Sequence, residues 1–297
     1  MRRSYLLMLI LAAYAAAPAS ADQPTAQVTK YAHFRVGERV AWGIVEGDHV
    51  REISRDPFGP YERTDRVHPL NAVKLLIPTR RKVKVFAVAG NYVSHLAGER
   101  EPAKHPEIFY KLPTCLIPTG AAIVIPPGTK EVHFEAELVI VIKKRAKNIS
   151  PQQARDYILG VTCGNDISAR DWQENDIQWW RAKGSDTFGP IGPFVVSGLD
   201  YTNLTLQLRH NGVVKQKENT KNMVHNVYEI VSWISRHVTL EPGDVIFTGT
   251  PGTTAAIKPG DVLEVELEGV GVLKNRVVRR GKRAAAKPPA RRGAPGK

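Results

Sequence analysis

The chain has 297 residues, of which 42% are apolar and 24% charged, so it can bury a large core and is neither fibrous nor low-complexity overall. Its net charge of +13 suggests nucleic acid until the charge is located. Eight basic residues and no acidic one lie in 279–297, and two more lie at the start, which leaves only +3 for the body between.

Residues 1–21 have the three-part layout of a secretory leader. Arg2 and Arg3 precede an apolar run over 5–17, and Pro18-Ala19-Ser20-Ala21 puts small residues at −3 and −1 of a cut after Ala21. An uncleaved anchor is the competing reading, but the run is short against the ~20 residues a span needs. Cleavage implies a periplasmic or secreted protein. Strands follow at 31–36, 39–45 and 49–53, broken by Gly37-Glu38 and Glu46-Gly47-Asp48. A loop over 54–69 and a short helix over 71–76 complete a small β-rich N-terminal domain, 22–78.

The body, 79–278, opens with a strand at 82–89 and has further strands at 122–125 and 138–142. Ser150-Pro151 starts a helix, with Ser as cap and Pro at the first turn. A strand at 158–163 follows, then a hairpin of 204–209 and 213–216 around Asn211-Gly212. Val227, Ile230, Val231 and Ile234 give helical spacing over 226–236. Strands at 245–248, 262–267 and 272–278 close the body. Strands outnumber helices without βαβ alternation, which excludes a Rossmann or α/β-barrel reading and leaves a strand-dominated α+β fold. The two cysteines have no metal-ligand spacing and are expected as free thiols. Residues 279–297 read as a disordered basic tail, either a functionless extension or a weak contact to anionic surfaces.

The chemistry starts at His133-Phe134-Glu135-Ala136-Glu137-Leu138. Side chains two apart on a strand share a face, so Glu135 and Glu137 stand together at the edge of an apolar run. Burying two adjacent carboxylates is costly without a cation, and a solvated strand end is the alternative. Asp166 leaves a second buried strand in Gly164-Asn165-Asp166-Ile167-Ser168-Ala169-Arg170-Asp171. Three carboxylates without a Cys or His cluster favour Mg²⁺ or Mn²⁺, or Ca²⁺, over Zn²⁺.

Several segments in order resemble the fumarylacetoacetate hydrolase family. They are Gly90-Asn91-Tyr92-Val93-Ser94-His95, Phe134-Glu135-Ala136-Glu137-Leu138, Asn165-Asp166-Ile167-Ser168-Ala169-Arg170-Asp171, Lys183-Gly184-Ser185-Asp186-Thr187-Phe188 and Gly249-Thr250-Pro251. Together they span about 82–278. The resemblance implies a mixed β-roll, a homodimer, and Mg²⁺ or Mn²⁺ on Glu135, Glu137 and Asp166. It implies Lys183 as a substrate-contacting catalytic lysine. Arg170 and Gln173 follow the metal aspartate and could hold a carboxylate; for Arg170 a structural ion pair is the equal alternative. Thr250 matches a position near the substrate carboxylate, and Tyr92 is a candidate pocket residue. His95 matches a histidine that activates water with a glutamate three residues on. Here that position is Gly98, and Glu99 is the nearest substitute. The implied activity is hydrolysis of a C–C bond in an acylpyruvate-like or β-diketo acid. The alternatives are decarboxylation, isomerisation or hydration of oxo-acids on the same scaffold, or a catalytically degraded metal-binding protein.

Overall fold

The computed structural model describes residues 27–96, 98 and 100–279; the expected leader, most of the basic tail and Glu99 lie outside the described residues. Among the described residues no helix is long and apolar enough to cross a membrane.

The fold is a strand-dominated α+β arrangement. One long sheet runs in the order Arg63–Pro69, His49–Ile53, Arg39–Glu46, Thr29–Val36, Gly189–Ser197, Ile158–Asn165, Ala136–Ile142, Val245–Phe247, Val85–Ala89 and Glu107–Lys111. Along that order only Val245–Phe247 and Val85–Ala89 are parallel. A second sheet runs Val213–Asn219, Thr205–His210, Val262–Leu267, Gly271–Arg279 and Ala122–Ile125. Its inward residues alternate, as a half-buried sheet requires: Leu206 and Leu208, Leu263, Val265 and Leu267, Leu273 and Val277 are all buried. They close over Ala136–Ile142 and Ile158–Asn165. Those two strands are buried at every position and so read as continuous apolar runs.

Local chemistry sets the helix starts. Asn226 caps Val227–His237 by accepting from Tyr228 and Glu229 N–H, while Glu229 accepts from Asn226 N–H. Ser150 and Gln153 make the same reciprocal box on Pro151–Ala154. The Asn211-Gly212 turn joins Thr205–His210 to Val213–Asn219, with φ of 52° and 81°. Cys115 and Cys163 are buried and unpaired.

Two expectations need correction, and one long strand was not expected. The expected loop over 54–69 contains the edge strand Arg63–Pro69, which pairs with His49–Ile53. Its polar sequence hides a strand that is anchored by ion pairs instead of apolar contacts. Glu52, with no exposed side chain, takes Arg39 at 3.0 Å, Arg66 at 2.6 Å and His68 at 3.0 Å. The expected helix over 71–76 is a 3₁₀ turn, Leu70–Ala72, and a short strand, Lys74–Leu75, paired with Phe34 and Arg35. The nine-residue strand Gly189–Ser197 carries no strand signal, because two glycines and two prolines occupy its first five positions. Its pairing shifts register between Val161 and Cys163, which relaxes the demand for the N–H that Pro193 lacks.

Candidate metal-binding active site

The antiparallel pair Ala136–Ile142 and Ile158–Asn165 builds the site at one end. Ala136 faces Asn165 and Glu137 faces Gly164, so Glu135 and Asp166 leave the same end of the ladder. Asp166 N–H donates to the Glu135 carbonyl at 2.8 Å, and Glu135 N–H donates to Asn165 Oδ1 at 2.9 Å. Carboxylate oxygens of Glu135, Glu137 and Asp166 come within 4.8 Å of one another, with the residues only 4%, 1% and 1% exposed. The three predicted ligands therefore converge, at a site shut off from bulk water.

Cationic side chains offset part of this charge. Lys183 Nζ bridges Glu135 at 2.7 Å and Asp166 at 3.0 Å. Arg170 reaches Glu135 Oε1 at 2.6 Å. Lys111, wholly buried, donates to Asp166 at 2.6 Å, to the Phe188 carbonyl at 3.1 Å, and to the Lys183 carbonyl. Burial would raise the Glu135 carboxyl, but Lys183 and Arg170 hold it down to about 2. Glu137 is pushed well above the usual range by burial and by Asp166 and Glu135; the N–H of Gly249, at 2.6 Å, acts in the opposite direction. An all-oxygen set with one carboxylate so disfavoured as an anion fits a hard divalent cation.

A cleft of about 330 Å³ opens beside this cluster, lined by His95, Glu135, Arg170, Gln173, Lys183 and Thr250 together with Arg100, Phe109 and Trp179. Arg170 forms the structural ion pair considered for it, with Glu135, and also lines the cleft. Arg170 Nη1 donates to Gln173 Oε1 at 2.7 Å. Thr250 Oγ1 accepts from Gln216 Nε2 at 2.9 Å, so its own proton is free to donate. Gly249, at φ of 98°, brings this turn so close to Asn91 that a Cβ would lie 2.7 Å from the Asn91 Cβ. Asn91 Nδ2 ties the turn down by donating to the Thr248 carbonyl at 2.7 Å.

His95 sits on the short helix Val93–Leu96. Its Nδ1 lies 2.6 Å from the Gly252 carbonyl, which can only accept, so Nδ1 carries the proton and Nε2 is the basic nitrogen. The expected i, i+4 approach of Glu99 to His95 falls on a residue outside the described ones. The helix spans Val93–Leu96, and Gly98 takes a φ of 80°, in the left-handed region. Tyr92, expected as a pocket residue, is fully buried and not among the residues lining this cleft, and its hydroxyl has no hydrogen-bond partner among the described residues.

Lys111 and Gln216 also reach the site: sequence reasoning assigns Lys111 no role, and Gln216, after the Asn211-Gly212 turn, is too weak a candidate to assign. Lys111 ends the strand Glu107–Lys111, where a lysine usually extends to water. Gln216 is the buried position in an otherwise exposed stretch of Val213–Asn219. It accepts from Ala136 N–H at 3.0 Å and donates to the Pro251 carbonyl at 2.6 Å. The faint signal was a single uncharged polar residue between two lysines.

Residues 84–278 match the fumarylacetoacetate (FAA) hydrolase C-terminal family model, and residues 29–78 match the Rv2993c-like N-terminal model. The chain belongs to the fumarylacetoacetate hydrolase family. It is 47% identical over 255 residues to Protein Rv2993c of Mycobacterium tuberculosis, covering 82% of this chain and 96% of that one. It is 40% identical over 225 residues to the human oxaloacetate tautomerase FAHD2A, mitochondrial, covering 71% and 72%. The solved 2-hydroxyhepta-2,4-diene-1,7-dioate isomerase of Mycobacterium marinum superposes with a TM-score of 0.80 at 43% identity, covering 86% of this chain and all of that one. A maleylpyruvate hydrolase from Sphingobium sp. SYK-6, solved with manganese(II) and pyruvate, superposes at 0.69 with 25% identity, covering 85% and 100%.

Proposed function

We propose that the protein catalyses metal-assisted proton transfer, a tautomerisation or isomerisation, on a small 2-oxo acid with a second carboxylate. The observation that carries this is the state of His95. Its Nδ1 donates to the Gly252 carbonyl, so Nε2 is the ring nitrogen left without a hydrogen bond among the described residues, while Gly98 occupies the family's lid-glutamate position and takes a φ of 80°. Relatives near 40% identity named as tautomerase or isomerase point the same way.

A divalent cation on Glu135, Glu137 and Asp166 would supply Lewis acidity toward the oxo group, making the neighbouring C–H more acidic. Arg170 and Gln173 bind the carboxylate, and the Lys183 ammonium stabilises the negative charge that develops on oxygen. His95 Nε2 takes the proton from carbon as the C–H pair becomes the C=C bond, and returns it to oxygen or to another carbon. No water need be activated. Hydrolytic C–C cleavage of an acylpyruvate-like acid is the second reading, favoured by the shared acidic triad and the hydrolase neighbours. We further propose an exported homodimer, on the layout of residues 1–21 and on the exposed Tyr110, Leu112, Ile177 and Trp180.

The test is the enol absorbance of oxaloacetate with Mg²⁺ or Mn²⁺, run beside cleavage of an acylpyruvate. Wild type should accelerate enol–keto exchange, and His95→Ala should slow it by roughly 10²–10⁴-fold. Acylpyruvate cleavage without enol–keto acceleration would overturn the proposal in favour of the hydrolase.

A further inference from the structure

Arg170 is gripped by groups that lie outside the cleft as well as within it. Its backbone N–H donates to the Glu131 carbonyl at 2.9 Å. Its Nη2 donates to Thr254 Oγ1 at 2.9 Å. Thr254 Oγ1 is 2.9 Å from His133 Nδ1, and His133 Nε2 is 2.5 Å from Glu131 Oε1. A guanidinium only donates, so Thr254 accepts from Arg170. The Glu131 carboxylate only accepts, so His133 Nε2 carries a proton, and in the neutral ring Nδ1 then accepts the Thr254 proton. The circuit begins and ends at Glu131, through its carbonyl at one end and its carboxylate at the other.

Main-chain bonds brace the same three segments. Val132–His133 pairs with Ser168–Ala169 on one side. On the other, His133 bridges Ala256 and Ile257 N–H donates to the Val132 carbonyl at 2.8 Å.

The geometry points to Thr254 and His133 as positioning residues that set the direction of the Arg170 guanidinium for a substrate carboxylate. Glu135 cannot do this alone, because it is shared with Lys183 and belongs to the cation-binding triad. A free arginine side chain has many rotamers, and a substrate would otherwise have to remove that freedom on binding. A fixed hydroxyl at Nη2 removes it beforehand. This inference rests on the reading of the cleft as an oxo-acid site.

The test is calorimetric binding of oxalate, a two-oxygen chelator, to the full-length Mn²⁺-loaded protein. Thr254→Val keeps the side-chain shape and removes the hydroxyl. It should weaken oxalate by roughly 10-fold, leaving Mn²⁺ affinity and melting temperature unchanged. Thr254→Ser should restore binding. His133→Leu should behave like Thr254→Val. His133→Asn, whose Oδ1 can replace Nδ1 as acceptor, should stay near wild type. In an Arg170→Gln background Thr254→Val should have no further effect. Wild-type oxalate affinity in Thr254→Val, or an equal loss without Arg170, would overturn the inference. Oxalate binding without turnover of any oxo-dicarboxylate would overturn only the functional reading, since the variant series still decides what Thr254 does.

Discussion

Lys111 shows how closely charge is balanced at the residue scale. Its ammonium is fully buried against Asp166 and two carbonyls, and does part of what a bound cation would do for the triad. Lys111→Met should therefore lower the melting temperature of the metal-free protein, because Asp166 loses a buried partner. Added Mn²⁺ should raise that temperature by more in the variant than in wild type, as differential scanning fluorimetry can show. Equal Mn²⁺ shifts in the two proteins would count against this view of Lys111. Asp166→Asn should weaken Mn²⁺ by more than about 100-fold, read by calorimetry. The triad was legible in the sequence because carboxylates in, or directly at the ends of, buried apolar strands are anomalous. Lys111 was not, because a lysine at a strand end ordinarily reaches water. Tyr92 is fully buried and does not line the open cleft, yet burial and the nearby Glu137 raise its hydroxyl, so motif position alone did not say which side of the carboxylate cluster it would take.

At the scale of elements, helix and hairpin starts were legible because a few side chains set them. Asn226→Ala removes the cap of Val227–His237 and should cost about 1 kcal/mol in a chemical-denaturation measurement. Edge pieces held by charge were not legible, since their sequences lack apolar periodicity. Glu52 is the clearest case. Burial raises its carboxyl, but Arg66, His68 and Arg39 overcome that and leave it below the usual glutamate range. A carboxyl depressed in the folded state stabilises fully above its unfolded range, and loses that contribution as pH falls through its folded value. Glu52→Gln should therefore lower the melting temperature at pH 7 and narrow its gap to wild type under acid. A gap that is constant with pH would show that the Glu52 carboxylate contributes nothing to holding Arg63–Pro69 through its three partners.

For the whole molecule, the proposed leader predicts a mature N-terminus at Asp22, and intact-mass measurement of protein from the native envelope decides it. Retention of Met1 there would remove the case for export. Homodimerisation predicts a doubled mass in light scattering, lost when Trp180 and Ile177 are both changed to Glu. The long sheet has a consequence for how the chain tolerates shortening. Thr29, Lys30 and Tyr31 pair with Ser197, Val196 and Val195, and the other side of that strand pairs with the strand leading to Asp166. The first strand thus acts as an edge guard for the catalytic half. A chain beginning at Thr79 would keep every residue of the triad and cleft yet bare a row of unpaired N–H and C=O groups on Val195–Ser197. Bared edges recruit other strands. The shortened protein should self-associate at concentrations where the whole chain does not, so the N-terminal segment protects solubility without touching the chemistry.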